Sequence, residues 1–394
     1  MSKPELKDSV EFPSHIKANR NLLLFGVAFL IISAVGYFID RDQFFFSYLT
    51  SFTFYAGIGL GALFFVMIQH LTRSEWSVTL RRIPEVFSSN LWIWSLFFIP
   101  VLMGMHTLYH WTHPEYVVGD PVMEGKVPYL NTPFFIIRQV FYFAVWGYLG
   151  YRLHKYSVKM DETGDWGLQT LLRRTSGPGL FLYALTIAFS SIDWLMTLDP
   201  HWYSTIFGVY FFAMSFQAFF AILVLMVFYL HSKGLLQNAI NKAHMYDVGV
   251  QLFGFTVFYA YIAFSQFLLI YYANIPEEVV WYYHRLEGGY EWIAWALLFG
   301  RFVIPFFILL AKPAKTNKTA LLSMSILILV LHFIELYWIA MPTLHHHLHF
   351  SWLDATTFIG LGGIFFGLFF HRFRKNSILP KNDLKLDDSL KKHP

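Results

Sequence analysis

Ten apolar runs, each close to the roughly 20 residues a helix needs to cross a bilayer, constrain this chain more than any other feature. They lie at about 21–39, 43–70, 88–110, 133–153, 178–198, 204–230, 248–272, 290–311, 319–340 and 354–371. With 56% of residues hydrophobic and 14% charged, composition excludes a soluble domain. The predicted fold is an all-α polytopic membrane protein of about ten transmembrane helices. The 20% aromatic content suits belts of Trp and Tyr at two membrane interfaces.

Orientation follows from the basic residues. The segments on the N-terminal side of the membrane (1–20, 71–87, 152–177, 231–247, 312–318 and 372–394) hold 24 of the 29 Lys and Arg. Arg41, Lys126 and Arg285 fall on the other side, and Arg138 and Arg301 lie within spans. Under the positive-inside rule both termini are expected in the cytoplasm. The first twenty residues are polar and show no cleavable signal, so the first run reads as a retained signal anchor. Of the outward segments, 111–132 and 273–289 are long, acidic and aromatic, and suit docking to a partner. The loop 341–353 carries His345, His346, His347 and His349, a tract that could bind metal or serve no specific purpose.

The chain has no cysteine, which excludes disulfides, thiolate-held iron–sulfur clusters and thioether-attached haem. A redox metal in this chain would need His or Met ligands; otherwise it belongs to another subunit.

Charges inside the apolar runs are the informative exceptions. A carboxylate near the bilayer centre costs roughly 2.5–3.5 kcal/mol, so it persists only with a partner, a wet cavity or a task. Arg138 in the fourth run and Asp193 in the fifth are each expected roughly 8 Å inside the outer surface, at about 1.5 Å per residue. Four runs later Arg301 and Glu335 repeat the pattern, with His332 one turn before Glu335. An even offset implies a parallel repeat: two four-helix bundles at 43–203 and 204–353. The remainder divides into a cytoplasmic tail at 1–20, flanking helices at 21–42 and 354–371, and a solvated cytoplasmic tail at 372–394. His106 and His110, one turn apart on the third helix, are expected to close the Arg138–Asp193 layer and could relay a proton. Gln251 and Gln266 on the seventh helix add hydrogen-bonding groups, and Asp247 with His244 marks its cytoplasmic mouth. Each pair could instead serve packing alone.

Two stretches carry a family resemblance. Ser190-Ser191-Ile192-Asp193-Trp194-Leu195-Met196-Thr197-Leu198-Asp199-Pro200-His201-Trp202-Tyr203-Ser204-Thr205 is one. Phe264-Ser265-Gln266-Phe267-Leu268-Leu269-Ile270-Tyr271-Tyr272-Ala273-Asn274-Ile275-Pro276-Glu277-Glu278 is the other. Both closely resemble the ActF-type integral membrane subunit of bacterial alternative complex III, a relative of the membrane subunit of polysulfide reductase (NrfD-like). The resemblance covers nearly the whole chain.

It implies a subunit of a quinol:cytochrome c (or quinol:oxidase) oxidoreductase that carries no cofactor itself. Haem c and iron–sulfur clusters would sit in partner subunits, and menaquinol would be a substrate of the complex. A paralogous membrane subunit is the better place for quinol oxidation. Here His106, His110, Arg138, Asp193, Asp247, Gln251, Gln266, Arg301, His332 and Glu335 are candidates for a proton path or a quinol-side cluster. The competing expectations are a purely structural assembly scaffold, a secondary transporter, or a b-haem protein with axial His106 and His332. Unbroken helices near the midplane argue against the transporter.

Overall fold

The computed structural model describes residues 11–13 and 18–392, so most of the tail expected at 1–20 lies outside the described residues. Among the described residues the regular elements are all helical, with no strand. In chain order they begin with α1 (Ala18–Ile39) and α2 (Arg41–Thr72), followed by α3 (Arg82–Ser89), α4 (Leu91–Trp94), α5 (Ile99–Met103) and α6 (Met105–Leu108). The short α7 (Pro114–Val117) and α8 (Pro121–Lys126) lead into α9 (Thr132–Thr163) and α10 (Gly167–Trp194). Next come α11 (Phe207–Ser232), α12 (Lys242–Ala273), α13 (Pro276–Leu286), α14 (Tyr290–Ala296) and α15 (Ile304–Leu310). The chain closes with α16 (Lys318–Ala340), α17 (Trp352–Phe373) and α18 (Leu386–Leu390).

Polar caps place the long helices. Asp40, Asn131, Asn241, Asn317 and Ser351 each accept a hydrogen bond from a first-turn N–H of α2, α9, α12, α16 and α17. Gly164, at φ 67°, and Asn274, at φ 49°, end α9 and α12 in the left-handed conformation that releases a helix.

Among the described residues eight helices are long and apolar enough to cross a membrane, or nine if the bent pair Arg82–Trp94 and Leu96–Met103 counts as one span. Two of the ten runs therefore behave differently from expectation. The run at 88–110 is a chain of short segments: it bends by 53° between Trp94 and Leu96, and Gly104 then separates the segment ending at Met103 from the next. The run at 133–153 is part of α9, a 32-residue helix too polar along its length to be counted. Its inward face holds Arg138, Gln139 and His154, and its last turns are charged.

α2 and α11 are the central helices, with 89% and 83% of their apolar windows buried, and they pack on each other. Around α2 lie α3, α10 and α17; α9 closes against α3, α4 and α10. Around α11 lie α10, α12 and α16, while α15 packs on α12. α1 is different. It packs along α17 and leaves Phe38 84% exposed. Gly26 faces Gly360 and Gly363 so closely that a Cβ on Gly26 would lie 2.7 Å from the Ile364 nitrogen. Small residues permit this approach of two backbones, which apolar side chains in lipid would otherwise hold apart.

The C-terminal segment is not the solvated end expected at 372–394. Ile378, Leu379, Leu386 and Ser389 are fully buried or nearly so, and Asp383 is 7% exposed. The segment folds back across the end of the molecule that carries the basic loops. Its three apolar anchors are too scattered among charges to register as a hydrophobic pattern.

Candidate functional site

Two buried charge networks lie toward the end opposite the basic loops. The first forms where α10 stops. Ser190 and Ser191 donate to the carbonyls of Ile187 and Ala188 in the last turns. The chain then turns through a short 3-10 segment at Met196–Leu198. This places Asp193 inward and fully buried. Its carboxylate accepts from Arg138 twice, Nε to Oδ2 and Nη2 to Oδ1, both at 2.9 Å. Tyr129 donates to Oδ1 at 2.9 Å; Gln139 and Tyr142 donate to Oδ2 at 3.1 and 3.0 Å. Arg138 is in turn held by the Tyr129 carbonyl at 2.7 Å and lies 3.8 Å from the Tyr129 ring centroid. A bidentate guanidinium plus three neutral donors saturates this carboxylate.

The second network is assembled differently. Arg301 occupies a π-helical segment, Leu297–Val303, between α14 and α15. Pro305, four residues later, has no N–H for the Arg301 carbonyl and its ring crowds that carbonyl, which favours the wider turn. Arg301 forms an ion pair with Glu335 of α16, and both are buried. Glu335 also accepts from the Tyr210 and Tyr259 hydroxyls, the latter at 2.7 Å. Arg301 donates to the Gln217 side chain at 3.0 Å and the Met214 carbonyl at 3.1 Å, and its Nη2 lies 3.2 Å from His332 Nδ1. Gln217 passes the chain on to Thr256 at 3.0 Å. His332 is fully buried against the Phe54 ring, and its Nε2 has no hydrogen-bond partner among the described residues. Since Nδ1 faces a guanidinium donor, Nε2 carries the proton of the neutral ring.

The structure brings both expected pairs together and sets His332 beside the second, and it places the other candidates elsewhere. His106 and His110 are exposed and do not share a helix face: α6 ends at Leu108, Tyr109 is extended at φ −122°, and His110 begins a separate 3-10 turn. His106 meets Thr112 and His113 instead of Asp193. The relay drawn from them fails because the helix breaks before His110. A b-haem held by His106 and His332 fails with it, since one is exposed and the other buried. Gln251 is half-buried and outside both networks; α12 contributes Thr256 and Tyr259 instead. Gln266 accepts from Ser204 at 3.1 Å, and Asp247 pairs with Lys392 of the tail. The π segment and the bend near Trp94 also remove the argument from unbroken helices.

The residues missed were mostly neutral. Tyr142 lies one turn after Arg138 on the same face, and Gln217 is a lone amide in an apolar run; both were readable signals. Tyr129 was not, because it arrives from an outer loop. The other long outer segment also folds inward. Arg285 of α13 is buried, donates to the Ile339 carbonyl at 2.6 Å, and has its pKa pushed down to about 9 by burial. Trp281 stacks on Trp202 at 4.4 Å. These two segments close over the networks, although Tyr272 and Tyr283 remain outside.

A third network sits at the basic end. Glu85 takes Arg81 Nε at 3.2 Å, Arg82 Nη1 at 2.9 Å and the Ser157 hydroxyl at 2.9 Å. Arg81 also pairs with Asp383, and Arg82 with Asp161. Burial raises the Asp383 pKa, but the Arg81 guanidinium and a backbone N–H outweigh it and hold that carboxyl below its ordinary range. In the histidine loop, His345 pairs with Gln43 at 2.7 Å. Among the described residues no three His, Cys, Asp or Glu gather as a metal site.

No protein-family model matches this chain, and no curated protein matches it either.

Proposed function

We propose that this chain is an ActF-type membrane subunit of an alternative complex III, a quinol:cytochrome c or quinol:oxidase oxidoreductase. The observation that carries the reading is a contact between the two stretches of family resemblance: Ser204 of the first donates to Gln266 of the second at 3.1 Å. Residues that are far apart in sequence and share one resemblance thus build one place in the fold.

In this reading ten spans cross a bacterial inner membrane with both termini in the cytoplasm. Spans two to five and six to nine form two four-helix bundles, flanked by α1 and α17. Electrons move through haem c and iron–sulfur clusters in partner subunits, and menaquinol is oxidised in the paralogous membrane subunit. The Arg138–Asp193 network, whose acceptor is saturated, holds the first bundle together. The Arg301–Glu335–His332 network has a spare N–H on its imidazole, and is the place where this subunit would hold or pass a proton.

Purification of the tagged chain from native membranes tests the assignment. Co-purifying c-type cytochromes and an iron–sulfur protein are expected; a chain without them overturns it. Within that complex His332→Phe should lower quinol-driven turnover several-fold at unchanged yield. Loss of yield with unchanged turnover per complex favours a pure assembly scaffold, a reading that the closed Asp193 network supports.

A further inference from the structure

α9 and α10 enclose a groove of about 270 Å³ that neither charge network uses. Its walls are apolar where the two helices carry their apolar runs, with Leu149 on one side and Leu182 on the other. Gly179 at the floor lets α10 close on Leu149 of α9: a Cβ there would lie 2.8 Å from a Leu149 methyl. At the basic end of the groove stand two arginines, Arg152 from α9 and Arg174 from α10. The site thus joins an apolar trough to a positive rim, at the level where a membrane passes from acyl chains to headgroups.

The two arginines differ from those of the three charge networks. Arg81, Arg82, Arg138 and Arg301 all face carboxylates. Among the described residues neither Arg152 nor Arg174 has an acidic partner. Arg152 donates to the Tyr148 hydroxyl and lies 5.4 and 5.2 Å from the Tyr148 and Tyr156 ring centroids. Its Nε is buried without a hydrogen-bond partner. A guanidinium braced by aromatic rings and left with free donors is built to receive an anion.

We infer that this groove binds an anionic phospholipid, its phosphate between Arg152 and Arg174 and an acyl chain against Leu149, Gly179 and Leu182. The apolar walls give a soluble phosphate nothing to gain, and the paired cations give a neutral quinone or a zwitterionic lipid no advantage. Basic pockets between membrane helices on the positive side recognise lipids by the same physics.

The test is native mass spectrometry of the full chain in mild detergent, titrated with phosphatidylglycerol. One site is expected, with binding roughly ten- to thirty-fold weaker in the double variant Arg152→Gln/Arg174→Gln, at about tenfold per 1.4 kcal/mol and one headgroup contact per arginine. Lys155→Gln/Lys159→Gln removes the same amount of charge from α9 outside the groove and should bind as the unaltered chain does. Excess inorganic phosphate should not displace the lipid. Equal binding of phosphatidylcholine, or equal loss in the lysine variant, overturns the site. Displacement by inorganic phosphate would leave a phosphate site and overturn the lipid.

Discussion

The two buried networks are built from the same pair of charge types, an arginine and a carboxylate on helices adjacent in sequence, yet they are finished in opposite ways. Asp193 accepts five hydrogen bonds from Arg138, Tyr129, Gln139 and Tyr142, and no titratable imidazole is among them. Glu335 shares its arginine with Gln217, the Met214 carbonyl and His332, whose outer nitrogen is unpartnered. A buried ion pair is therefore not one device. Surrounded by fixed donors it fastens helices; beside a neutral imidazole and a distorted helix it keeps a second protonation state within reach.

The largest expected effects come from removing one charge. Asp193→Ala or Glu335→Ala leaves a buried guanidinium unpaired and should cost about 3–5 kcal/mol, read as lost thermal stability in detergent. The double variant Asp193→Leu/Arg138→Met should recover most of that stability, because replacing both members of a buried pair is often neutral. The corresponding Glu335→Leu/Arg301→Met chain should also fold but leave the assembled complex with depressed turnover. Equal turnover in the two double variants would erase the distinction.

A smaller effect is expected from Tyr129→Phe, about 1 kcal/mol for one hydrogen bond among several to the same carboxylate. Tyr259→Phe should cost at least as much, since Glu335 has fewer donors to share the loss. Thermal shifts of the two variants side by side measure this, and a smaller shift for Tyr259→Phe would contradict it.

The network at the basic end supplies a comparison outside the membrane. Asp383 is held below its ordinary pKa, so its contribution is full above about 3.9, the unfolded carboxylate value, and fades as pH falls through the folded one. Limited proteolysis should therefore find residues 376–392 protected at neutral pH and released in acid. Asp383→Asn should release them at neutral pH; protection unchanged in that variant would assign the docking to Ile378, Leu379 and Leu386 alone.

Much of this was legible in the sequence, for identifiable reasons. Hydropathy locates spans because a bilayer tolerates few other patterns. Arg138, Asp193, Arg301 and Glu335 stood out because a charge in an apolar run has to be answered. What could not be read was who answers it besides the opposite charge. Tyr129 comes from a loop and Tyr210 from an apolar helix whose hydroxyl looks incidental. His106 and His110 misled because four-residue spacing means one face only while the helix lasts, and the extended Tyr109 ends it. Arg81 and Arg82 were counted toward the basic side, but nothing local said that they would be buried against Glu85, Asp161 and Asp383.

The glycine contact of α1 with α17 has a consequence for how the protein is made. α1 touches α2, which follows it directly, but its main neighbour is α17, which is made much later in the chain. Arrival of α17 is thus the moment of closure, and a product truncated before it would carry an unclaimed glycine-lined seam open to other membrane helices.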